Sequence, residues 1–150
     1  MHTFTGDDGY LAYGGVIKDQ AGNLYGATTQ GGTHNENGGV VYELSPSGPG
    51  WTFQVIYNLP GIVGPYGALT LDAAGNLYGI GQGDSAHDLG MLFKLTPSNG
   101  SWTFTDLFDF SGANGCLPYG SVTLDPSGNI FGTTEGCGLY GYGEVWEFTP

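Results

Sequence analysis

The sequence predicts an all-β chain, a β-propeller built from three four-stranded blades of about 50 residues each. Three observations predict it. The stretch Asp19-Gln20-Ala21-Gly22-Asn23-Leu24-Tyr25-Gly26 returns as Asp72-Ala73-Ala74-Gly75-Asn76-Leu77-Tyr78-Gly79 and again as Asp125-Pro126-Ser127-Gly128-Asn129-Ile130-Phe131-Gly132. The even spacing of Asp19, Asp72 and Asp125 marks a repeat architecture. Around each copy lie short runs rich in β-branched and aromatic residues, punctuated by Gly, Pro, Asn and Asp. No amphipathic helical segment of useful length appears. No apolar run approaches the roughly 20 residues of a membrane helix. The 30 glycines alone could suggest disorder, but 14% aromatic residues argue for an ordered, turn-rich β protein.

Each unit reads as four extended segments. The first covers residues 15–18, 68–71 or 121–124. A tight turn follows, in which Asp accepts backbone hydrogen bonds two or three residues on and Gly or Asn takes the positive φ. Asp19, Asn23, Asp72, Asn76, Asp125 and Asn129 are therefore assigned a structural turn role. One carboxylate per turn is too few oxygen ligands for calcium. The second segment covers residues 24–29, 77–81 or 130–134, and a longer polar loop succeeds it. The third covers residues 40–44, 91–95 or 144–148, and a Ser/Thr-Pro turn is expected after it. The fourth covers residues 51–57 or 102–108. Trp51 and Trp102 begin these outer strands and are expected to pack between blades. Trp146 replaces Tyr42 and Phe93, so it reads as core.

The third copy stops at Thr149-Pro150, before a fourth segment. The matching piece is at the other end. Phe4-Thr5-Gly6-Asp7-Asp8-Gly9 aligns with Phe110-Ser111-Gly112-Ala113-Asn114-Gly115 and with Leu59-Pro60-Gly61-Ile62-Val63-Gly64. Residues 1–5 thus read as the tail of a fourth strand, able to complete the last sheet and pair its edge. The chain is expected to be one repeat domain, 1–150, with units at about 6–60, 61–111 and 112–150 plus strand 1–5. Propellers use about four to eight blades. The expected assembly is therefore a homodimer that closes a six-bladed ring, each chain's amino-terminal strand completing its partner's last blade, with an open filament as the alternative. A β-trefoil or β-prism monomer is the rival fold.

The net charge is −12, and Lys18 and Lys94 are the sole Lys and Arg residues. Nucleic-acid binding needs cations against phosphates and is excluded, and anionic membranes are disfavoured for the same reason. The acidity reads mainly as a device for solubility. No leader is visible before the repeat pattern begins, which suggests either a segment of a longer precursor or a cytoplasmic chain. The scarcity of lysine and the two cysteines favour a secreted origin.

Variable loops on a rigid scaffold carry binding. The loops joining segment four to one and segment two to three emerge on one face. Cys116 lies in the first set and Cys137 in the second, so a disulfide is expected, with two free thiols as the rival reading. Their spacing fits no zinc motif. His34, Glu36, Asp84, His87 and Glu135 populate the second set as ligand-binding candidates. Carboxylates beside imidazoles suit metal binding or acid–base chemistry. These residues come from non-equivalent positions, however, so no metal, cofactor or catalytic residue is assigned. Tyr13, Tyr66 and Tyr119 are equivalent, each followed by Gly, and Tyr140 and Tyr142 add aromatics to the same face. Two readings of the repeated tyrosines stay open: a platform for sugar rings, or plugs between blades.

Pro65-Tyr66-Gly67, then Leu71-Asp72 with Gly75-Asn76-Leu77-Tyr78-Gly79, a Gly-rich loop, Leu92-Phe93-Lys94-Leu95-Thr96-Pro97 and Trp102-Thr103-Phe104 together resemble the GloVer tandem repeat. The resemblance covers nearly the whole chain. It implies a propeller-like array in an extracellular or surface-displayed bacterial protein, and says little about biochemistry. The functional expectation is a non-enzymatic extracellular binding or scaffold module with a glycan as the favoured ligand. The alternatives are a self-assembling structural unit and a polysaccharide hydrolase or lyase that uses loop carboxylates such as Glu36, Asp84 and Glu135.

Overall fold

A glycine faces an aromatic ring in each repeat, and this pairing sets the sheet geometry. The computed structural model describes residues 2–33, 38–60, 64–83 and 89–150. They form three four-stranded antiparallel sheets, with no helix among the described residues. The first comprises β1 (Ile17–Lys18), β2 (Leu24–Ala27), β3 (Val40–Ser47) and β4 (Gly50–Asn58), paired in that order. The second repeats it with β5 (Thr70–Leu71), β6 (Leu77–Gly81), β7 (Met91–Ser98) and β8 (Ser101–Asp109). The third has β10 (Thr123–Leu124), β11 (Ile130–Gly136) and β12 (Val145–Phe148), while β9 (Cys116–Pro118) also pairs with β11.

Gly26, Gly79 and Gly132 stand opposite Tyr42, Phe93 and Trp146 in the three sheets. A Cβ at any of these glycines would run into the facing ring. The last residue of the Leu-Tyr-Gly motif therefore makes room for an aromatic side chain lying across its strand. The register also shifts between Val41 and Tyr42 and, at the equivalent place, between Leu92 and Phe93. Each shift is a bulge on the fourth strand, where Ile56 or Leu107 is the extra residue.

Two apolar clusters lie between consecutive sheets. Tyr25, Ala27 and Val41 of the first sheet meet Leu69, Leu77, Met91, Phe93 and Leu95 of the second. Tyr78, Ile80 and Leu92 of the second meet Val122 and Ile130 of the third, with Trp146 and Phe148 packed alongside. Trp102 lies in the first of these layers, as expected, edge-on to Tyr25 at 6.0 Å. A third cluster, Val40, Tyr42 and Leu44, covers the opposite face of the first sheet, where Trp51 also packs.

The Asp-x-x-Gly-Asn turns close as expected, although the hydrogen bonds reach further. Asp72 Oδ1 accepts from the Ala74 and Asn76 backbone N–H groups at 2.9 and 2.8 Å. Its Oδ2 accepts from Asn76 Nδ2 at 2.7 Å and from the Tyr78 hydroxyl at 3.1 Å. Asp19 repeats the bonds from Asn23 and Tyr25. Asp125 keeps those from Ser127 and Asn129. In the third copy Phe131 stands where the others have tyrosine. Gly75, with φ +86°, takes the left-handed position.

Two expectations need correction. The Ser/Thr-Pro pairs are not turns. Pro46 and Pro97 lie inside β3 and β7, opposite Trp51 and Trp102. The reversals come two residues later, and Asn99 and Gly100 both adopt positive φ there, the two-residue hairpin that matches strand twist. Residues 2–5 belong to no strand. They pack on the first sheet of their own chain and do not complete the last sheet of that same chain. His2 stacks on Phe53 at 3.6 Å, and Phe4 meets Tyr42 edge-on at 5.3 Å. The equivalent residues make the same contacts further along: Tyr57 stacks on Phe104 at 5.2 Å, and Phe110 meets Trp146 edge-on at 5.4 Å. The sequence alignment of residues 4–9 was thus sound, but the segment sits where the end of a preceding fourth strand belongs.

Burial pushes the Asp19, Asp72 and Asp125 carboxyls up, but the hydrogen bonds from Asn23, Asn76 and Asn129 and from the turn backbone outweigh it, leaving each below 3.8. A lowered folded value means stability that is complete above the unfolded value and is lost as pH falls through the folded one. Urea unfolding should therefore show stability falling below pH 3.8, and Asp72→Asn should flatten that slope. At neutral pH Asp72→Ala should cost about 2 kcal/mol, since it leaves several donors without their charged acceptor.

Candidate functional site

The loop face gathers around three Tyr-Gly pairs. Gly14 abuts Gly67, and Gly67 abuts Gly120; a Cβ at Gly14 would fall on the Gly67 carbonyl, and one at Gly67 on the Gly120 carbonyl. This backbone contact brings the preceding tyrosines into one row. The rings of Tyr13 and Tyr66 lie 5.7 Å apart and 24° from parallel. Those of Tyr66 and Tyr119 lie 5.1 Å apart and 19° from parallel. Tyr13 is 60% exposed and Tyr119 51%, with Tyr66 between them partly covered. Thr70 Oγ1 donates to the Val122 carbonyl at 2.5 Å, tying the inner strands of the second and third sheets.

The loops behind the row are fixed from one unit to the next. Gly64 N–H donates to the Thr29 carbonyl at 2.7 Å, and Thr29 Oγ1 donates to the Pro65 carbonyl at 2.9 Å. Leu117 N–H donates to the Leu89 carbonyl at 2.8 Å. Leu11 and Leu117, each two residues before a row tyrosine, have φ of +59° and +52°. Such a backbone costs a non-glycine residue about 1–3 kcal/mol and persists only where its surroundings hold it.

Cys116 and Cys137 form a disulfide, with Cα atoms 5.2 Å apart. Beside it β9, which was not evident in the sequence, pairs with β11, which runs to Gly136. Glu135 consequently lies on a strand, exposed, and not in the loop to which the sequence assigned it. In the first unit the same corner is held without sulfur, by paired backbone bonds between Tyr10 and Gln30. Gly31 follows Gln30 there with φ +90°, and Cys137 takes the matching position with φ +60°.

The other candidates divide. Tyr140 and Tyr142 are 80% and 91% exposed near the cystine, and the ring stacking of the row joins only Tyr13, Tyr66 and Tyr119 among the described residues. His34, Glu36, Asp84 and His87 lie outside the described residues. Glu144 was not singled out in the sequence; its carboxylate accepts from the Leu139 N–H at 3.2 Å and braces the loop that carries Tyr140. Among the described residues no group of three His, Cys, Asp or Glu is placed to hold a metal ion. Burial first, and then the charges of Glu43 and Asp19, push the Tyr25 hydroxyl up to about 12. Burial and the bond to Asp72 push Tyr78 up to about 12 as well. Both phenols remain neutral at physiological pH and serve the turns.

Two measurements check this geometry. Gly67→Ala should destabilise the chain by about 3 kcal/mol in urea unfolding, because backbone and not a flexible side chain occupies the space. Replacing both cysteines by serine should cost about 3 kcal/mol, the chain-entropy value for a loop of this size, and reductant should produce the same loss in the unaltered chain but none in the variant.

No curated protein and no solved structure matches this sequence. A family model does: residues 1–150 match the Gloeobacter/Verrucomicrobia repeat, the family that the Asp-x-x-Gly-Asn-Leu-Tyr-Gly units resemble, and the chain belongs to it.

Proposed function

We propose that this chain is a sector of an extracellular β-propeller and acts as a non-enzymatic binding module for neutral carbohydrate. The observation that carries the reading is the tyrosine row. Three rings from three equivalent loops stand side by side, partly exposed, on a backbone too tightly packed to shift. Aromatic faces with hydroxyl handles suit the C–H faces and hydroxyls of sugars. A net charge of −12 opposes acidic polysaccharides and favours neutral ones. The cystine supports an oxidising, extracytoplasmic setting. Affinity electrophoresis against neutral polysaccharides should show retardation. Tyr66→Ala should weaken it about tenfold, the equivalent of about 1.4 kcal/mol. Equal retardation of a variant with Tyr13, Tyr66 and Tyr119 all changed to alanine sinks the reading.

A second reading, self-assembly, is supported by the two outer sheet faces. Phe93 and Leu95 receive the preceding sheet, and Trp146 and Phe148 do the same one sheet on. Tyr42 and Leu44 are their counterparts and are covered by Phe4 together with strands of their own sheet. With His2, Val16, Leu24 and Phe53 they line a groove of about 240 Å³. At the other end Val145 is 83% exposed, where its counterparts Val41 and Leu92 are at 0%. Each chain thus carries both halves of the contact that joins its own sheets. A second copy would close a six-bladed homodimer, or a mismatch in rotation would leave a filament. Light scattering should give twice 15.6 kDa, and Val145→Asp should return the monomer. A concentration-independent monomer overturns this reading.

A further inference from the structure

The tyrosine row has a fixed pitch, and pitch discriminates among linear polymers. Each unit contributes one ring, and successive ring centres lie 5.7 and 5.1 Å apart. At 24° and 19° from parallel, neighbouring rings overlap as offset stacks. Backbone sets the interval. Gly14, Gly67 and Gly120 follow the three tyrosines and touch one another, leaving no room for a Cβ at Gly14 or Gly67. Pro65 and Pro118, both buried, fix the chain just before the second and third rings.

The hydroxyls of the row are also uncommitted. Tyr25 and Tyr78 in the turns donate theirs to Asp19 and Asp72. Those of Tyr13, Tyr66 and Tyr119 have no hydrogen-bond partner among the described residues. Each step along the row therefore offers one partly covered ring and one phenol able to donate and to accept.

A ligand that engages every step must repeat at the same interval. An extended peptide brings a side chain to one face every second residue, about 6.6 Å. A polyproline helix returns after three residues, about 9 Å. Bases along one nucleic-acid strand repeat at about 3.4 Å, and a net charge of −12 opposes their phosphates. A pyranose chain joined by equatorial bonds at opposite ends of each ring rises by one ring span and one bridging oxygen, about 5 Å at ordinary single-bond lengths. An axial bond at one end coils the chain and shortens its rise, and links at positions that are not opposite bend it. Of these polymers the extended sugar ribbon keeps step with the rings.

We propose that the row reads linkage: its ligand is an extended, equatorially linked neutral glycan of the cello-oligosaccharide type, lying along the row with one sugar residue per tyrosine. The inference rests on the carbohydrate reading of this site and adds direction, pitch and linkage to it. The rings take the sugar C–H surfaces, and the phenols meet the equatorial hydroxyls along the ribbon. Because touching backbones hold the rings, the site cannot re-space itself for a coiled chain, and a mismatch of pitch is lost contact.

The test is calorimetric titration of the whole chain with cellohexaose, maltohexaose and laminarihexaose, which share a composition and differ in linkage. Cellohexaose should bind about tenfold more tightly than either of the others. Tyr66→Ala should bring the three hexaoses to within about threefold of one another. Should that variant unfold, Tyr13→Ala, whose ring is 60% exposed, should narrow the preference in the same direction. Equal binding of the three hexaoses by the unaltered chain overturns the inference, as does tighter binding of maltohexaose or laminarihexaose. A preference for cellohexaose that survives both tyrosine variants in folded form also overturns it, because linkage is then read elsewhere. In each of these outcomes a sugar is bound and the carbohydrate reading stands. Failure of cellohexaose to bind overturns the inference as well; retardation by another neutral polysaccharide then separates that failure from the failure of the carbohydrate reading, in which no neutral glycan binds.

Discussion

Everything above the level of a single hairpin depends on a ring lying flat across a glycine. Tyr42, Phe93 and Trp146 cover Gly26, Gly79 and Gly132, and a side chain at any of the three would lift the ring away. The flattened ring becomes part of the surface on which the next sheet packs. Three sheets stacked in this manner bury both faces of the middle one, and β6 is buried at every position, unlike β2 and β11. A repeat alone has nowhere to put that surface, which is why such units occur in series. The stacking then determines where the inner strands start, and so where the Tyr-Gly pairs meet.

Much of this was legible in the chain because repetition acts as an internal alignment. Three copies of Asp-x-x-Gly-Asn gave the turns, and the intervals between copies gave the strands. The offset of residues 4–9 against 110–115 located the amino-terminal segment within the repeat. The cystine followed from topology, since loops at one end of an antiparallel sheet must share a face. Family membership followed from the same motifs.

What stayed hidden has physical causes. Proline is usually a boundary, but near the end of β3 or β7 a missing N–H costs little, so Pro46 and Pro97 stay in the strand and the turn moves on to Gly48 and Asn99. β9 pairs with β11 across a long loop, Cys116 opposite Gly136, and no local propensity announces that. The tyrosine row depends on glycine backbones from different repeats touching, a contact visible only in three dimensions. The sequence did offer one unused signal: Leu11 and Leu117 occupy equivalent places in the longer loops, yet nothing in a leucine betrays a positive φ.

The cystine has a further consequence. The third sheet pairs least, since β12 is four residues long where β3 and β7 have eight. Proteins open locally in weakly paired units well before they unfold as a whole. Cys116 and Cys137 pin β9 to β11 at this weakest point, while the first two sheets manage without sulfur. The lifetime of the folded chain is thereby tied to the redox poise of its surroundings. Reduction removes that pin and leaves β9 held to β11 by strand pairing alone.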